Sequence, residues 1–387
     1  MNRKQFLLLL VALVLLAAAG AGVHWSDRLS WQRGGTRLGQ KLLPTLKIAE
    51  VAEIAVRDAK SEVHIFKQGA AWKVRERADF PADVDRIADL LLKAVELKIV
   101  QTEGLSETQR THFELVEPRP GAAGEGTGTV LELKDASGKA LARLLLGKKL
   151  MKRTEVQTAP GAPPHAMDMP AGRYLLSGGD AAWIAVVSEP LNQVEATPAA
   201  WLSKAIFHID RVQSVAVAGP DGKSRWTLAR AKEGDLWSFA GLAEKPDPQK
   251  AEDVVSPLYE ISLADVVADT AKVPTGLDKP VVAHVQTFDD LTYALKIGAK
   301  AGDDRYYAQV AQSGEPPKVR TPEKGESASD KDKRDKEFAE QRSKLLLRLE
   351  RERRFEQWSY ELPKATIERL TYERVQLMPD KKKSEKK

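Results

Sequence analysis

Apolar and polar residues alternate along short stretches of this chain, as they do in half-buried β-strands. In the first half, such stretches cover residues 51–56, 63–66 and 71–74, and two more cover residues 129–133 and 140–146. Polar turns separate neighbouring stretches, which is typical of antiparallel hairpins. The alternation therefore predicts a strand-rich antiparallel sheet.

One stretch follows a different period. Apolar residues recur at spacings of three and four between Val84 and Val95, which is the pattern of an amphipathic helix. Asp83 or Asp85 stands where a residue that caps the first turn is expected. The pattern predicts one helix after the first three strands, with its apolar face against the sheet.

The same order of elements returns further along the chain. Trp72 and Trp237 are 165 residues apart, and Pro81 and Pro246 are separated by the same 165 residues. Strand-like stretches flank Trp237, and an amphipathic stretch follows Pro246. Self-similarity at a fixed period indicates a repeated architecture, and a period this long indicates two related domains rather than a solenoid.

These patterns predict an α+β fold, in which an N-terminal transmembrane helix precedes two repeated domains, each an antiparallel sheet with a packed helix. The predicted boundaries are an anchor at 1–23, a linker at 24–46, a first repeat at 47–200, a second repeat at 201–312, a charged linker and helix at 313–358, and closing strands with a basic tail at 359–387.

The anchor is predicted from an uncharged apolar run at residues 6–23, whose 18 residues approach the length needed to cross a bilayer as a helix. Arg3 and Lys4 precede the run, and the positive-inside rule then keeps the N-terminus cytoplasmic. We therefore expect a single-pass protein of the cell inner membrane with its bulk in the periplasm. The alternative is a cleaved signal peptide, with its cleavage site at residues 19–21.

Charge and cysteine content narrow the classes of function. The net charge of +5 comes from Arg3, Lys4 and the lysine-rich end at residues 380–387, so the body between them is neutral. A neutral body without a basic stripe argues against nucleic acid as a partner. The chain contains no cysteine, which excludes disulfides and thiol chemistry.

Several motifs recur in a characteristic order. A Gly-x-x-Trp-Lys motif is followed by a Pro-Ala-Asp helix start, and a Leu-x-x-Pro hinge comes before the closing strands. These motifs are Gly69, Trp72 and Lys73, then Pro81, Ala82 and Asp83, then Leu115 and Pro118. In the second copy, Ser238 replaces the lysine, and Pro246-Asp247-Pro248 replaces Pro-Ala-Asp.

With an N-terminal anchor, this layout resembles the DUF4340 family, a domain of unknown function in bacterial envelope proteins, over roughly residues 45–310. Both predicted repeats are accordingly DUF4340-like. Members of the family often accompany a gliding-motility-type ABC transporter. The resemblance implies an accessory role beside a transporter permease and ATPase, and it implies no catalytic residue.

Aromatic and glycine residues suggest two kinds of ligand site. A stacking platform would use Trp72, Trp183, Trp201 and Trp237, although aromatics at matched repeat positions more often pack in cores. The Gly-rich stretch at 121–128 looks like a phosphate cradle, but such loops open a helix and this one opens a strand. We therefore expect packing tryptophans and no nucleotide site.

Two further groups carry possible chemistry. His165, Met167 and Met169 would lie on one side of an extended segment and suit Cu(I), although the prolines around them indicate an ordinary loop. His112, and His208 with Asp210, suggest acid–base chemistry, but no catalytic motif accompanies them. We predict no catalytic, cofactor or metal residues.

The charged stretch at 336–358 predicts a helix that is either a partner-binding coiled-coil arm or a solvated insertion. Taken together, these features predict a non-enzymatic accessory protein without a cofactor, most consistent with an auxiliary subunit of a gliding-motility-type ABC transporter. The alternative is an envelope module that binds a glycan, lipid or peptide in the cleft between the repeats.

Overall fold

The computed structural model describes residues 37–104, 106–119, 121, 124–157, 165–177, 183–322 and 326–380. The chain divides into two compact units, Met1–Trp201 and Leu202–Lys387. Of the described residues, 38% lie in strands and 24% in helices, and the strands form three antiparallel sheets. The predicted α+β class is therefore wrong, and the protein is mostly β. One strand reaches 17 residues where the alternating stretch covers seven, whereas the helix that follows the first strands has 13 residues in unit 1 and 8 in unit 2.

A nine-stranded sheet forms unit 1, with strand order β4-β3-β2-β1-β6-β7-β8-β9-β5. Its strands are β1 (Glu53–Arg57), β2 (Glu62–Gln68), β3 (Ala71–Val74), β4 (Phe80–Pro81), β5 (Ile99–Gly104), β6 (Thr129–Lys134), β7 (Ala140–Val156), β8 (His165–Ser177) and β9 (Trp183–Val187).

The described residues of unit 1 include two α-helices. Helix α1 (Val84–Glu96) begins where the side chain of Asp83 accepts a hydrogen bond from the Arg86 amide at 3.0 Å, as the sequence predicts. Helix α2 (Glu107–His112) begins with a reciprocal capping box between Ser106 and Gln109. The buried face of α1 consists of Ile87, Leu90, Leu91 and Ala94.

An eight-stranded sheet forms most of unit 2, with strand order β13-β12-β11-β16-β17-β18-β19-β15, and β10 pairs with β14 separately. The strands are β10 (Ala205–Phe207), β11 (Val212–Ala218), β12 (Ser224–Ala229), β13 (Ser238–Phe239), β14 (Ile261–Ser262), β15 (Asp265–Val266), β16 (Val281–Thr287), β17 (Leu291–Lys300), β18 (Arg305–Gly314) and β19 (Tyr360–Pro363).

The described residues of unit 2 include the α-helices α3 (Pro248–Val255), α4 (Ala328–Arg353) and α5 (Lys364–Ile367). Helix α4 begins eight residues before its predicted start, because Ser327 caps it by accepting from the Asp330 amide at 3.1 Å. After α4 the chain returns to the same sheet as β19, which pairs with β18. The helix is thus inserted in the chain between two neighbouring strands of one sheet.

The two large sheets share one order of strands. In each, a hairpin of the first strands is followed by a helix, and three long antiparallel strands then close the sheet, β6-β7-β8 in unit 1 and β16-β17-β18 in unit 2. The next strand along the chain, β9 in unit 1 and β19 in unit 2, lies between the third of these strands and the edge strand, β5 or β15.

The predicted location as a single-pass inner-membrane protein with a periplasmic bulk needs correction. No helix in the described ranges is long and apolar enough to cross a membrane. The longest one, α4, consists of charged residues over more than half its length. The predicted anchor at residues 1–23 lies outside the described residues.

Candidate interaction site

Strands β7 and β8 extend beyond their neighbours in the sheet of unit 1. Strand β7 pairs with β6 only as far as Leu146, and β8 pairs with β9 only from Arg173 to Leu175. Beyond those points, β7 and β8 pair with each other as far as Val156 and His165. We call this two-stranded ribbon, residues 149–156 and 165–172, the arm. Within the described part of the chain, neither outer edge of the arm has a partner strand.

The arm exposes large apolar side chains. Leu150, Met151, Met167 and Met169 are each 37–52% exposed. The register pairs Met167 with Thr154 and Met169 with Lys152, so both methionines share one face, while Met151 pairs with Pro170 on the other face. Exposed methionine is common at binding surfaces because its unbranched, polarisable side chain adapts to different partners.

The arm and its base also carry more positive than negative charge. Strand β7 carries four cations in this region, Lys148, Lys149, Lys152 and Arg153. No ion pair within 4 Å joins any of them to a described residue. Most other strand surfaces carry paired charges, such as Arg143 with Glu132 at 3.0 Å. Arg153 pairs with Asp168 in the register and Glu155 lies on the same strand, so the excess of positive charge beside the apolar side chains comes mainly from Lys148, Lys149 and Lys152.

At the base of the arm lies a buried arginine. The Arg173 Nε donates to the carbonyl oxygen of Gly147 at 2.8 Å, and its Nη1 lies 3.5 Å from the carbonyl oxygen of Pro190. Burial lowers the pKa of Arg173 to about 10. Burial and the nearby Arg173 charge also lower the pKa of Lys149, which pairs with Arg173 across the two strands.

A second polar cluster lies in unit 2, around the C-terminal end of α4. The Glu352 carboxylate is only 3% exposed, and it accepts from the Tyr293 hydroxyl at 3.0 Å and from the His208 amide at 3.1 Å. One turn earlier, Arg348 donates to Asp210 at 2.6 Å. The imidazole Nε2 of His208 lies 2.8 Å from the other oxygen of Asp210.

Burial dominates the electrostatics of this cluster. It raises the pKa of Glu352, and it raises the pKa of Tyr293 well above its usual range. The predicted pair His208 and Asp210 is thus brought together with three residues that the sequence did not single out. Because these groups bond one another, the arrangement fastens the end of α4 to β17 and to the chain after β10.

The tryptophans predicted as a stacking platform are mostly core residues. Trp72, Trp201 and Trp237 are buried, and Trp183 is half-buried against Arg37. The Trp201 N–H donates to the Glu195 carbonyl at 2.7 Å. A cation lies over each of the three buried rings: Arg86 over Trp201, Lys67 over Trp72 and Arg230 over Trp237. The packing interpretation therefore holds for these three rings.

The remaining candidates lie apart from one another. The described part of the Gly-rich loop leads into β6, and Gly126 accepts from the Val116 amide at 3.0 Å. His112 ends α2 and contacts the Phe113 ring edge-on. His165, Met167 and Met169 belong to β8. Within the described ranges, no group of three or more His, Cys, Asp or Glu residues is placed to hold a metal ion.

Comparison with known proteins gives one match. Residues 168–280 match the family model described as "Domain of unknown function (DUF4340)", which confirms the resemblance seen in the sequence. The matched segment covers less than a third of the chain, and it crosses the division between the two units. No curated protein and no solved structure matches the chain.

Proposed function

We propose that the protein is a non-enzymatic accessory subunit of an ABC transporter and that the arm is a surface through which it binds a partner protein. The observation that carries this proposal is the exposure of four large apolar side chains, Leu150, Met151, Met167 and Met169, on a ribbon that leaves its sheet. Apolar groups of this size are stabilised when a partner removes them from water, by about 25 cal/mol per Å².

Two other properties of the arm suit a protein partner. Its outer edges present backbone N–H and C=O groups to which an extended segment of a partner can add as a strand. Its cations, Lys148, Lys149, Lys152 and Arg153, favour a partner with acidic groups and speed its approach. A β-ribbon with these features is better suited to docking than to catalysis.

The transporter is proposed from the family. Proteins with DUF4340 domains often accompany gliding-motility-type ABC transporters, and the match to residues 168–280 supports the same association here. The expected partners are therefore the permease and the ATPase of such a transporter. The alternative function, an envelope module for a glycan, lipid or peptide, stays a prediction.

Affinity purification of the tagged full-length protein tests the proposal. Extracts of the native cells in mild detergent are compared for the wild type, for Met151→Ser/Met167→Ser/Met169→Ser, and for Leu236→Ser/Leu242→Ser/Val319→Ser. The last variant is the matched control, because it removes three exposed apolar side chains from unit 2. Mass spectrometry then quantifies the permease and ATPase that co-purify.

We expect the wild type and the control to recover both transporter subunits, and the arm variant to recover about tenfold less, equivalent to about 1.4 kcal/mol of binding free energy. Equal recovery with the arm variant would contradict the role of the arm. Absence of both subunits from all three purifications would contradict the role in a transporter.

A further inference from the structure

Arg173 is a buried cation that no carboxylate neutralises directly. It is 8% exposed, and its hydrogen bonds go to two neutral carbonyl oxygens, those of Gly147 and Pro190. In the described part of the chain, no Asp or Glu oxygen lies within 4 Å of its guanidinium. Glu114 acts on it only at longer range. A buried charge without a paired charge costs several kcal/mol, so its presence needs an explanation.

A second cation faces Arg173 across the strands. Lys149 pairs with Arg173 in the register of β7 and β8, and like charges in directly opposite positions destabilise a sheet. Lys149 makes no hydrogen bond or ion pair with the described residues through its side chain. Glu195, which acts on Lys149 at longer range, already pairs with Arg86 at 2.8 Å. The sheet thus brings two positive charges together at one place.

Unit 2 shows that the fold does not require an arginine here. In unit 1, Leu146 pairs with Leu175 and Lys149 pairs with Arg173. Between these two pairs β7 therefore has one more residue than β8. In unit 2, Ile297 pairs with Ala308 and Lys300 pairs with Tyr306. Here β17 has one more residue than β18, at the equivalent position. Tyr306 therefore occupies the position that Arg173 has in unit 1, and the Lys300 ammonium lies 5.8 Å from the centre of its ring.

We infer that Arg173 and Lys149 bind a small free oxyanion, of the phosphate or carboxylate class, at the base of the arm. A guanidinium offers paired N–H donors that match two oxygens of such an anion, and a lysine ammonium adds a third donor and a point charge. The bound anion supplies the negative charge that the surrounding side chains lack. This site shares Lys149 with the arm, but it needs no partner protein, so it can be tested on the purified chain alone.

Thermal unfolding of the purified full-length protein tests the inference. The melting temperature is measured in sodium chloride, sodium phosphate and sodium acetate at equal ionic strength, for the wild type, Arg173→Tyr and Lys152→Gln. Arg173→Tyr installs the residue that unit 2 carries at this place. Lys152→Gln is the matched control, because it removes one positive charge from the arm outside the pair.

We expect phosphate or acetate to raise the melting temperature of the wild type and of Lys152→Gln in a saturable way, because a ligand that binds only the folded state stabilises it. Arg173→Tyr should show no such rise. Because the purified chain is alone, a rise reports a free ion rather than the carboxylate of a partner. No rise in the wild type, or an unchanged rise in Arg173→Tyr, overturns the inference.

Calorimetric titration with inorganic phosphate gives a second measurement if Arg173→Tyr does not fold. Lys149→Gln keeps the buried arginine and its two carbonyl partners. We expect it to weaken phosphate binding by about tenfold, and unchanged binding overturns the role of the pair.

Discussion

Gly147 and Gly298 occupy equivalent positions in the two sheets. A Cβ atom on Gly147 would lie 2.1 Å from the carbonyl oxygen of Phe113, and a Cβ atom on Gly298 would lie 2.1 Å from that of Thr275. In both sheets that same oxygen accepts a hydrogen bond from the residue after the glycine, Lys148 at 2.8 Å or Ala299 at 2.7 Å. At both points the backbone of Phe113 or Thr275 packs so close to the strand that a side chain at the glycine position would clash with it.

Alanine at either glycine should therefore destabilise its unit. We expect Gly147→Ala and Gly298→Ala each to cost about 1–3 kcal/mol, because the methyl group meets backbone that has no room to move. Urea unfolding, followed by tryptophan fluorescence, measures the loss. Gly124→Ala is the control, since its Cβ would meet only a threonine side chain at 3.4 Å. Equal midpoints for all three variants would refute this shared close packing.

Much of the fold follows from local sequence pattern. The period of three and four after Asp83 predicts α1 and its cap, and the turn at residues 135–138 predicts the hairpin of β6 and β7. The length of β7 is missed because Gly147 and the following lysines interrupt the alternation. Beyond that point the ribbon is exposed on both faces, so no buried face imposes a period of two.

The site residues were harder to predict. Glu352 lies among charged residues and Arg173 follows a glycine, and nothing in either stretch distinguishes a buried charge from a solvated one. One signal was present for Glu352, which follows the buried Leu349 by three residues and so shares its face of α4. The signal for Arg173 appears only when β7–β8 and β17–β18 are aligned by register, because the equivalent residue is then a tyrosine.

The helix caps offer a test of the similarity between the units. The Asp83 amide donates to the Trp201 carbonyl at 2.8 Å, and the Asp247 amide donates to the Leu377 carbonyl at 2.9 Å, while each side chain caps its helix. We expect Asp83→Ala and Asp247→Ala each to lower the free energy of unfolding by about 1 kcal/mol, because each leaves helical N–H groups unbonded.

Urea unfolding of the two cap variants checks this expectation, with Asp278→Ala as the control. Asp278 is exposed and caps no helix, so its loss should change the free energy of unfolding by less than about 0.5 kcal/mol. A cap variant as stable as the control would show that the corresponding side-chain bond does not stabilise its helix.

One ion pair of unit 1 should make stability depend on pH. His64 Nδ1 lies 2.7 Å from Glu76 Oε1, and this hydrogen bond raises the pKa of His64 above its ordinary 6.5. Burial alone would raise the pKa of Glu76, but its bonds with His64 outweigh that effect and lower it below 4.5. The contribution of His64 is therefore complete below pH 6.5 and is lost as the pH rises through its folded pKa.

We expect His64→Gln to be less stable than the wild type by about 0.5–1 kcal/mol near pH 6, and by much less near pH 8.5, because the pair is partly exposed. Urea unfolding at both pH values measures the two differences. His284→Gln serves as the control, since His284 is exposed on β16. The same deficit at both pH values would contradict a charged pair.

The buried Glu352 should produce the opposite pH dependence. Burial raises its pKa above the ordinary 4.5, so the folded protein holds the proton more tightly than the unfolded chain does. The wild type therefore loses stability as the pH rises from 4.5 through the folded pKa of Glu352. Glu352→Gln lacks this loss, and its stability relative to the wild type should be higher at neutral pH than near pH 4.5.

Tyr293→Phe supplies the complementary measurement. It removes the hydroxyl that donates to Glu352 at 3.0 Å, and leaving that buried oxygen short of a donor should cost about 1–3 kcal/mol. The loss should grow with pH, because the ionised carboxylate needs the donor most. Tyr307→Phe, on the same sheet and more exposed, is the control. Urea unfolding at several pH values measures the free energy of unfolding of the wild type and both variants. If each variant differs from the wild type by the same amount at every pH, Glu352 does not titrate within the folded state.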